Sequence, residues 1–423
     1  MNILRLINEH ITSPALAFAV TVFGAFFAVR LGVYSPKKTL KRIRELKIRG
    51  DNGISPLSSL SVALAGTLGV GNIAGVAVAI STGGAGAVFW MMVSAVSGAA
   101  LKYCEAYLSV RFRKPGTRTG GAPYYAEKIA GKGAGAAYAV LCVVMSFFSG
   151  TLIQTGAAVS ALKTACGAPP LVVGFAFAAV CLVTAAGGME RVSSFTSAAM
   201  PVFCAVFAAA SVIAVSMRIN EIPGVLNRIF SEAFGFSQIT GGFSGALLSS
   251  ALRQGMTKGV FSHEAGCGTS SFSHAASDVG SPSAQGLIGI AEVLADTLFF
   301  GGLTALVILL SPAGSVSGSY DGAELSIAAY SYFFGGSAVR LLTVLTVFFA
   351  FATVLCWGCY GASAVRYLSG GKLCMPYLII YCSSLVLGAV IPQTAAWHLS
   401  DITSSLMLSL NCFCLIKGRK EMK

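Results

Sequence analysis

Charge is scarce in this chain. Aspartate and glutamate number 16, lysine and arginine 29, and charged side chains make up 11% of 423 residues, against about a quarter in soluble globular domains. Apolar residues reach 55% and the mean hydropathy is +0.77, which excludes a water-soluble globule. Alternating ten-residue strands, which an outer-membrane barrel requires, are missing too. No D-D-x-x-D, H-E-x-x-H, G-x-S-x-G or P-loop is present, so neither a membrane-embedded enzyme nor an ATP-driven pump is supported. The twelve cysteines lie mostly in apolar stretches, where thiols act as small packing residues. Cys356 and Cys359 form a C-x-x-C and Cys412 and Cys414 a C-x-C, but neither has the second pair or nearby histidine that tetrahedral zinc needs.

What the chain has is repeated apolar stretches long enough to cross a bilayer of about 30 Å. Pro, Gly and charge bound eleven expected spans at 14–34, 56–80, 86–110, 134–160, 170–188, 193–216, 241–272, 285–310, 339–361, 373–391 and 396–416. The start, Met1 to Ser13, has no small-residue cleavage site after the first apolar stretch and reads as retained. With the N-terminus outside, the inward connections hold 20 lysines and arginines and the outward ones five. The positive-inside rule then gives N-out, C-in in the cell membrane. The net charge of +13 is read as this topology signal rather than as nucleic-acid binding. The basic run Lys37–Arg49 reads as a topology anchor, with an anionic-lipid patch as the alternative. Segments 219–236 and 323–334 are short and amphipathic and read as interfacial or gate-capping helices.

Two spans are abnormal. The second contains Gly66-Thr67-Leu68-Gly69-Val70-Gly71-Asn72-Ile73-Ala74-Gly75, and each glycine weakens a helix by up to about 1 kcal/mol relative to alanine. A helix break near Gly69 to Asn72 is expected. The G-x-G-x-x-x-G spacing, with no preceding strand, does not make a dinucleotide loop. The seventh span mixes glycine with Arg253, Lys258, His263 and Glu264. Irregular backbone and unpaired charge are tolerated at membrane depth only when buried in protein or lining a wet cavity. With the first span set aside, the abnormal spans open two sets of five, and five being odd, the sets thread oppositely. That is the layout of an inverted repeat whose two interrupted helices meet near the midplane. Half-helix N-termini there suit a carboxylate, and freed carbonyls an ammonium or hard cation. A zwitterionic amino acid plus a cation satisfies both. The expected divisions are 1–50 (extra helix and basic loop), 51–218 (first repeat), 219–416 (second repeat) and 417–423 (tail).

The runs GTLGVGNIAGVAVAISTGGAGAVFWMMVSAVSGAALKYCEAYLSVRFR, GGAPYY and LRQGMTKGVFSHEAGCGTSSFSHAAS, with QGLIGIAEVLADT, FATVLCWGCYG and SDITSSLMLSLN, resemble the signature regions of the alanine/glycine:cation symporter family. The similarity runs from about residue 55 to 412. It implies an all-α polytopic membrane protein of leucine-transporter fold, with one extra N-terminal helix, importing small neutral amino acids with sodium or protons. A sensor or channel on the same fold is the rival class. The resemblance implies that Gly69, Gly71 and Asn72 meet substrate, with Gln154, Phe261 and Trp357. It places Thr67, Val70 and Thr353 at the ion; sodium is the only metal, and no cofactor is implied. The expected protein is a monomer.

This chain departs from the family pattern in four places. Val70 stands for a usual Thr and Ala352 for a Ser, removing two hydroxyls from the ion site; His263 stands for Asn, and Cys267-Gly268-Thr269 for Leu-Gly-Ser. His263, Glu264 and Asp296 are coupling or gating candidates. His263 is either a titrating group or a satisfied hydrogen-bonder at the break. Gln154 is a substrate contact or an interhelical hydrogen bond, and Trp357 a pocket cap or an interfacial belt residue. Glu292 and Asp296, one turn apart, are expected to pair with Lys258 or Arg253, either structurally or in ion coupling. Lys102 and Glu105 are expected to snorkel or to form a salt bridge.

Overall fold

The computed structural model describes residues 11–44, 54–234, 243–315 and 322–422. The basic run beyond Arg44, the N-terminal ten residues and residues 235–242 lie outside them. All regular structure among the described residues is helical, apart from one parallel bridge between Ile54 and Ser277.

Helix α1 (Ser13–Leu31) leads to a short basic helix, α2 (Pro36–Arg44). Helix α3 (Pro56–Thr67) starts on a proline behind Ser55, whose Oγ accepts from the Ser58 N–H at 3.0 Å, a favoured start because proline lacks the N–H that a first turn leaves idle. After a break comes α4 (Ala74–Gly83), and the two halves meet at 59°. Helix α5 (Gly86–Arg111) is buried through its second half. A short α6 (Ala122–Ala130) precedes a long rod in which α7 (Lys132–Met145) passes through a π-helical turn, Ser146–Leu152, into α8 (Ile153–Cys166). Helices α9 (Pro170–Ala185) and α10 (Gly188–Ser216) follow, both exposing valines on their outer faces. The short outer segment expected at 219–236 is α11 (Ile222–Phe234).

The second half opens with α12 (Phe243–His263) and a six-residue α13 (Ser271–Ala276). Next, α14 (Pro282–Val293) runs through a second π-helical turn, Leu294–Gly301, into α15 (Gly302–Leu310). Helices α16 (Ala323–Phe334), α17 (Gly336–Ser369), α18 (Cys374–Gly388) and α19 (Gln393–Lys417) complete the chain.

Among the described residues, seven helices are long and apolar enough to cross a membrane, or eight with the bent α3–α4 pair as one span. The remaining three expected spans fall short for identifiable reasons. Helices α9 and α18 hold 16 and 15 residues, roughly 24 Å or less of helix, and α12 carries Arg253, Lys258 and His263.

Glycine does two different jobs here. In α12, Gly255 and Gly259 stay helical and serve close packing: a Cβ on Gly255 would lie 2.3 Å from the Ala87 carbonyl, and one on Gly259 2.0 Å from Ser94 Oγ. Helix α12 therefore runs unbroken through these glycines to His263, with a small-x-x-x-small stripe pressing it against α5. At one end the chain beyond α13 is tied to the start of α3 through Ile54, whose carbonyl accepts from the Asp278 N–H at 2.7 Å. All twelve cysteines are free thiols, with Cys356 and Cys359 inside α17.

Candidate functional site

Helix α3 stops at Thr67 because Leu68 and Gly69 leave helical geometry, Gly69 adopting φ −92° and ψ −146°; a single 3-10 turn, Val70–Asn72, then leads into α4. A Cβ on Gly69 would stand 2.5 Å from Thr353 Oγ1 and 2.9 Å from Gln154 Oε1. Only glycine lets this backbone touch both polar tips. The Val70 N–H donates to Gln154 Oε1 at 3.3 Å, and Gln154 Nε2 donates to the Ser149 carbonyl at 3.1 Å, within the first π turn. Thr353 Oγ1 donates to the Ala65 carbonyl at 2.8 Å, and Thr67 Oγ1 to that of Ala63 at 3.2 Å. The expected residues Thr67, Gly69, Val70, Gln154 and Thr353 thus meet at one break. Val70 takes part through its backbone; its side chain is apolar and fully buried.

The second interruption follows His263. Glu264 has φ 50°, the one left-handed non-glycine among the described residues, and Gly266 (φ 90°) and Gly268 (φ 78°) complete the turn into α13. The last turn of α12 reaches the first break: a Cβ on Gly71 would lie 3.5 Å from the Ser262 Cα and 3.6 Å from the Phe261 ring. Phe261 packs on Trp397 with ring centroids 4.5 Å apart.

Between the breaks sits a polar cluster. Asn72 Nδ2 donates to Asp296 Oδ1 at 2.6 Å, and Thr297 Oγ1 donates to Asp296 Oδ2 at 2.8 Å. Ser262 Oγ lies 2.7 Å from Asp296 Oδ2 and 3.1 Å from Asn72 Oδ1. A hydroxyl has one hydrogen, so it can serve only one of these two acceptors. Asn72 is 1% exposed and the other three are fully buried. Neighbouring residues of an α-helix do not face one partner. Asp296 and Thr297 do so because they lie in the second π turn, which widens the helix locally. The cluster offers a carboxylate, an amide oxygen and two hydroxyls, the hard oxygen set that an alkali cation prefers.

The charged groups pair differently from the sequence expectation. Asp296 takes no cationic partner among the described residues; its donors are Asn72, Ser262 and Thr297. Lys258 instead pairs with Asp401 at 3.2 Å and lies 4.6 Å over the Trp397 ring. Glu292 pairs with Lys102 at 3.1 Å and His274 at 2.9 Å. Spacing places Glu292 and Asp296 on one face, but the π turn between them separates their surroundings. Lys102 and Glu105 do not snorkel: both are fully buried, and Glu105 Oε1 accepts from Asn411 Nδ2 at 2.8 Å. His263 is a satisfied hydrogen-bonder. Its Nδ1 accepts from the Ala265 N–H at 3.0 Å, which places the hydrogen on Nε2, 3.3 Å from Ser94 Oγ. Glu264 accepts from Thr269 Oγ1. Trp357 is fully buried in α17 and is no belt residue; its indole N–H has no partner among the described residues.

Sequence reasoning missed Ser262, Thr297 and the Lys258–Asp401 pair. Ser262 stands next to two singled-out residues, but a hydroxyl in an apolar run carries no spacing signal of its own.

Membrane-crossing helices, one of them broken, around buried oxygen ligands define the class of secondary transporters. The family model for the sodium:alanine symporter family matches residues 1–419, and the chain belongs to that family. It is similar to the sodium/alanine symporter AgcS of Methanococcus maripaludis, 31% identical over 98% of this chain and 94% of the relative. It also resembles the probable sodium/glutamine symporter GlnT of Bacillus subtilis, 31% identical over 98% and 87% of the two chains. A third relative is the putative sodium/proton-dependent alanine carrier protein YrbD of Bacillus subtilis, 29% identical over 95% and 85%. The protein is a multi-pass amino acid transporter, not an enzyme.

Proposed function

We propose that this protein is a sodium-coupled symporter that imports small neutral amino acids, such as alanine or glycine, by alternating access. The observation that carries the reading is the buried oxygen cluster of Asn72, Ser262, Asp296 and Thr297 beside the broken helix. Sodium replaces hydrogen bonds within this set, the hydroxyls turning their hydrogens away, and is held by the carboxylate, the amide oxygen and the hydroxyls. A second cation position lies between the Ala65–Gly69 backbone, Thr67 and Thr353.

The substrate carboxylate meets N–H groups of the Gly69–Asn72 turn, aided by the positive end of α4. The ammonium meets carbonyls freed at the two interruptions. Gln154 orients the first turn, Trp357 carries a buried indole N–H one turn beyond Thr353 on α17, and Phe261 covers Gly71. Lys258 and Asp401, on α12 and α19 beside Phe261 and Trp397, close the approach from one side and separate when it opens.

The full architecture in this reading is eleven spans. Repeats 51–218 and 219–416 thread oppositely after one extra helix, in the cell membrane with N-terminus outside and C-terminus inside. A single chain completes the site. Proton coupling is the second reading, favoured by Val70 and Ala352, which lack the hydroxyls usual in the family.

The test is uptake of labelled alanine into proteoliposomes under an imposed sodium gradient, then under a proton gradient alone. Sodium-driven accumulation is expected. Accumulation driven only by protons would replace the coupling ion. Binding of alanine without accumulation would mark a sensor and overturn the transport reading, as would currents exceeding transporter turnover.

A further inference from the structure

Where helices α5 and α17 end, a pocket of about 530 Å³ opens between them, α6 and the start of α7. Its position follows from the fold. Helix α5 closes at Arg111 and α17 at Ser369, and the pocket walls are residues that straddle these two ends. That is the level at which a membrane-spanning helix meets lipid headgroups. The pocket lies apart from the cluster around Asp296 and does not rest on the transport reading.

The walls are cationic. Lys114, Lys128 and Lys132 line the pocket, and among the described residues none of the three forms an ion pair. The one acidic side chain in the wall, Glu127, is engaged: its Oε2 accepts from Tyr367 Oη at 2.8 Å. Arg113, also in the wall, is committed elsewhere and donates to the carbonyls of His274, Ser277 and Val279. Lysine as the first residue of α7 is unfavourable, because it adds positive charge to the positive end of the helix dipole. The N-cap there is Gly131, which offers no side-chain oxygen. An anion in the pocket relieves both deficits.

Two further features narrow the anion. Tyr124 is 6% exposed, lines the pocket, and its buried hydroxyl has no hydrogen-bond partner among the described residues. Its ring stands edge-on to Tyr367, with centroids 5.0 Å apart, and lies 5.3 Å from Lys114 Nζ. The wall thus holds a neutral donor beside a lysine, suited to a phosphate oxygen. The rim is apolar, with Leu368 44% exposed. A free inorganic anion has no use for such a rim, whereas a phosphate carrying acyl chains does.

We infer that this pocket binds the headgroup phosphate of an anionic phospholipid, with Lys114, Lys128 and Lys132 around the charge, Tyr124 donating to a phosphate oxygen and the acyl chains leaving past Leu368. In the N-out, C-in orientation proposed above, the lipid belongs to the inner leaflet. A bound headgroup links α6 and α7 to the end of α17, the helix that carries Thr353 and Trp357.

The experiment is native mass spectrometry of the full chain in detergent, titrated with dioleoyl phosphatidylglycerol or dioleoyl phosphatidylcholine. The wild type is expected to bind one phosphatidylglycerol in preference to phosphatidylcholine. The triple variant Lys114→Gln/Lys128→Gln/Lys132→Gln, all exposed positions, is expected to lose roughly tenfold or more of that affinity, as three lysines near a lipid surface contribute. A control, Lys37→Gln/Lys38→Gln/Lys41→Gln on α2, is expected to change it by less than about twofold, because none of the three lines the pocket. Unchanged affinity in the pocket variant overturns the inference, as does equal binding of phosphatidylcholine or a full loss in the α2 control. Displacement of phosphatidylglycerol by an equal concentration of inorganic phosphate would make this a soluble-phosphate site and also overturn it. Should the triple variant fail to fold, Lys132→Gln alone keeps the test open, with a severalfold loss expected.

Discussion

Asn72 and Asp296 are separated by 224 positions in the chain and joined by a hydrogen bond of 2.6 Å, amide nitrogen to carboxylate, with both side chains buried. One belongs to the 3-10 turn of the broken span, the other to the π turn of the α14–α15 rod. Two irregular pieces of backbone therefore face each other across the only carboxylate of this cluster.

Replacing that carboxylate isolates its charge. Asp296→Asn keeps the volume and an acceptor for Ser262 and Thr297 but removes the anion. Sodium stimulation of alanine uptake is expected to fall by at least roughly a hundredfold, equivalent to about 3 kcal/mol, the scale of a charge-assisted contact. A sodium titration of initial uptake rate checks this. An unchanged half-saturating sodium concentration would move the cation elsewhere.

Gly69→Ala forces a methyl to within 2.5 Å of Thr353 Oγ1. Overpacking of this kind costs about 1–3 kcal/mol, and the shift it demands falls on the backbone proposed above to meet substrate. A lowered melting temperature and loss of alanine binding are expected together, whereas Gly133→Ala, whose Cβ would meet nothing within 4 Å, is expected to change neither. Calorimetric titration of both variants decides.

Lys102 and Glu292 form a fully buried ion pair. Removing one partner strands the other, at about 3–5 kcal/mol, while replacing both by apolar residues of similar size is often near neutral. Lys102→Met is therefore expected to be poorly stable and Lys102→Met/Glu292→Leu largely rescued, read as thermal stability in detergent. No rescue would show that the pair acts through His274 and Ser270, which share its hydrogen bonds.

His263 has both ring nitrogens occupied. His263→Asn retains an acceptor for the Ala265 N–H, and the pH profile of uptake is expected to stay as in the wild type. A profile flattened between about pH 5 and 8, the range in which an ordinary histidine titrates, would return His263 to the coupling role.

How far the sequence reaches is best judged from the same residues. The first break was legible at Gly69 because glycine at that density weakens a helix with no return in lipid. The second was legible at His263 and Glu264, where charge at membrane depth coincides with glycine, but glycine alone does not mark it: Gly255 and Gly259 stay helical and serve packing against α5. Asp296 stood out with Glu292 as an acid near mid-membrane, yet its partners were not legible: a π turn changes which side chains face inward, and no local pattern marks it. Lys258 was misassigned for a related reason, because its partner Asp401 comes from a helix whose placement only the tertiary packing decides. Trp357 could be read two ways until its burial in α17 excluded the interface.

The widened turn at Leu294–Gly301 has another side. While Asp296 and Thr297 look inward, Leu298 and Phe299 stand 42% and 49% exposed on the outer surface. A single peptide link therefore separates a residue of the proposed cation site from one exposed on the outer surface. Stiffness or thickness of the surrounding bilayer is felt next to the acid itself, so the same protein is expected to pull sodium with different strength in membranes of different make-up.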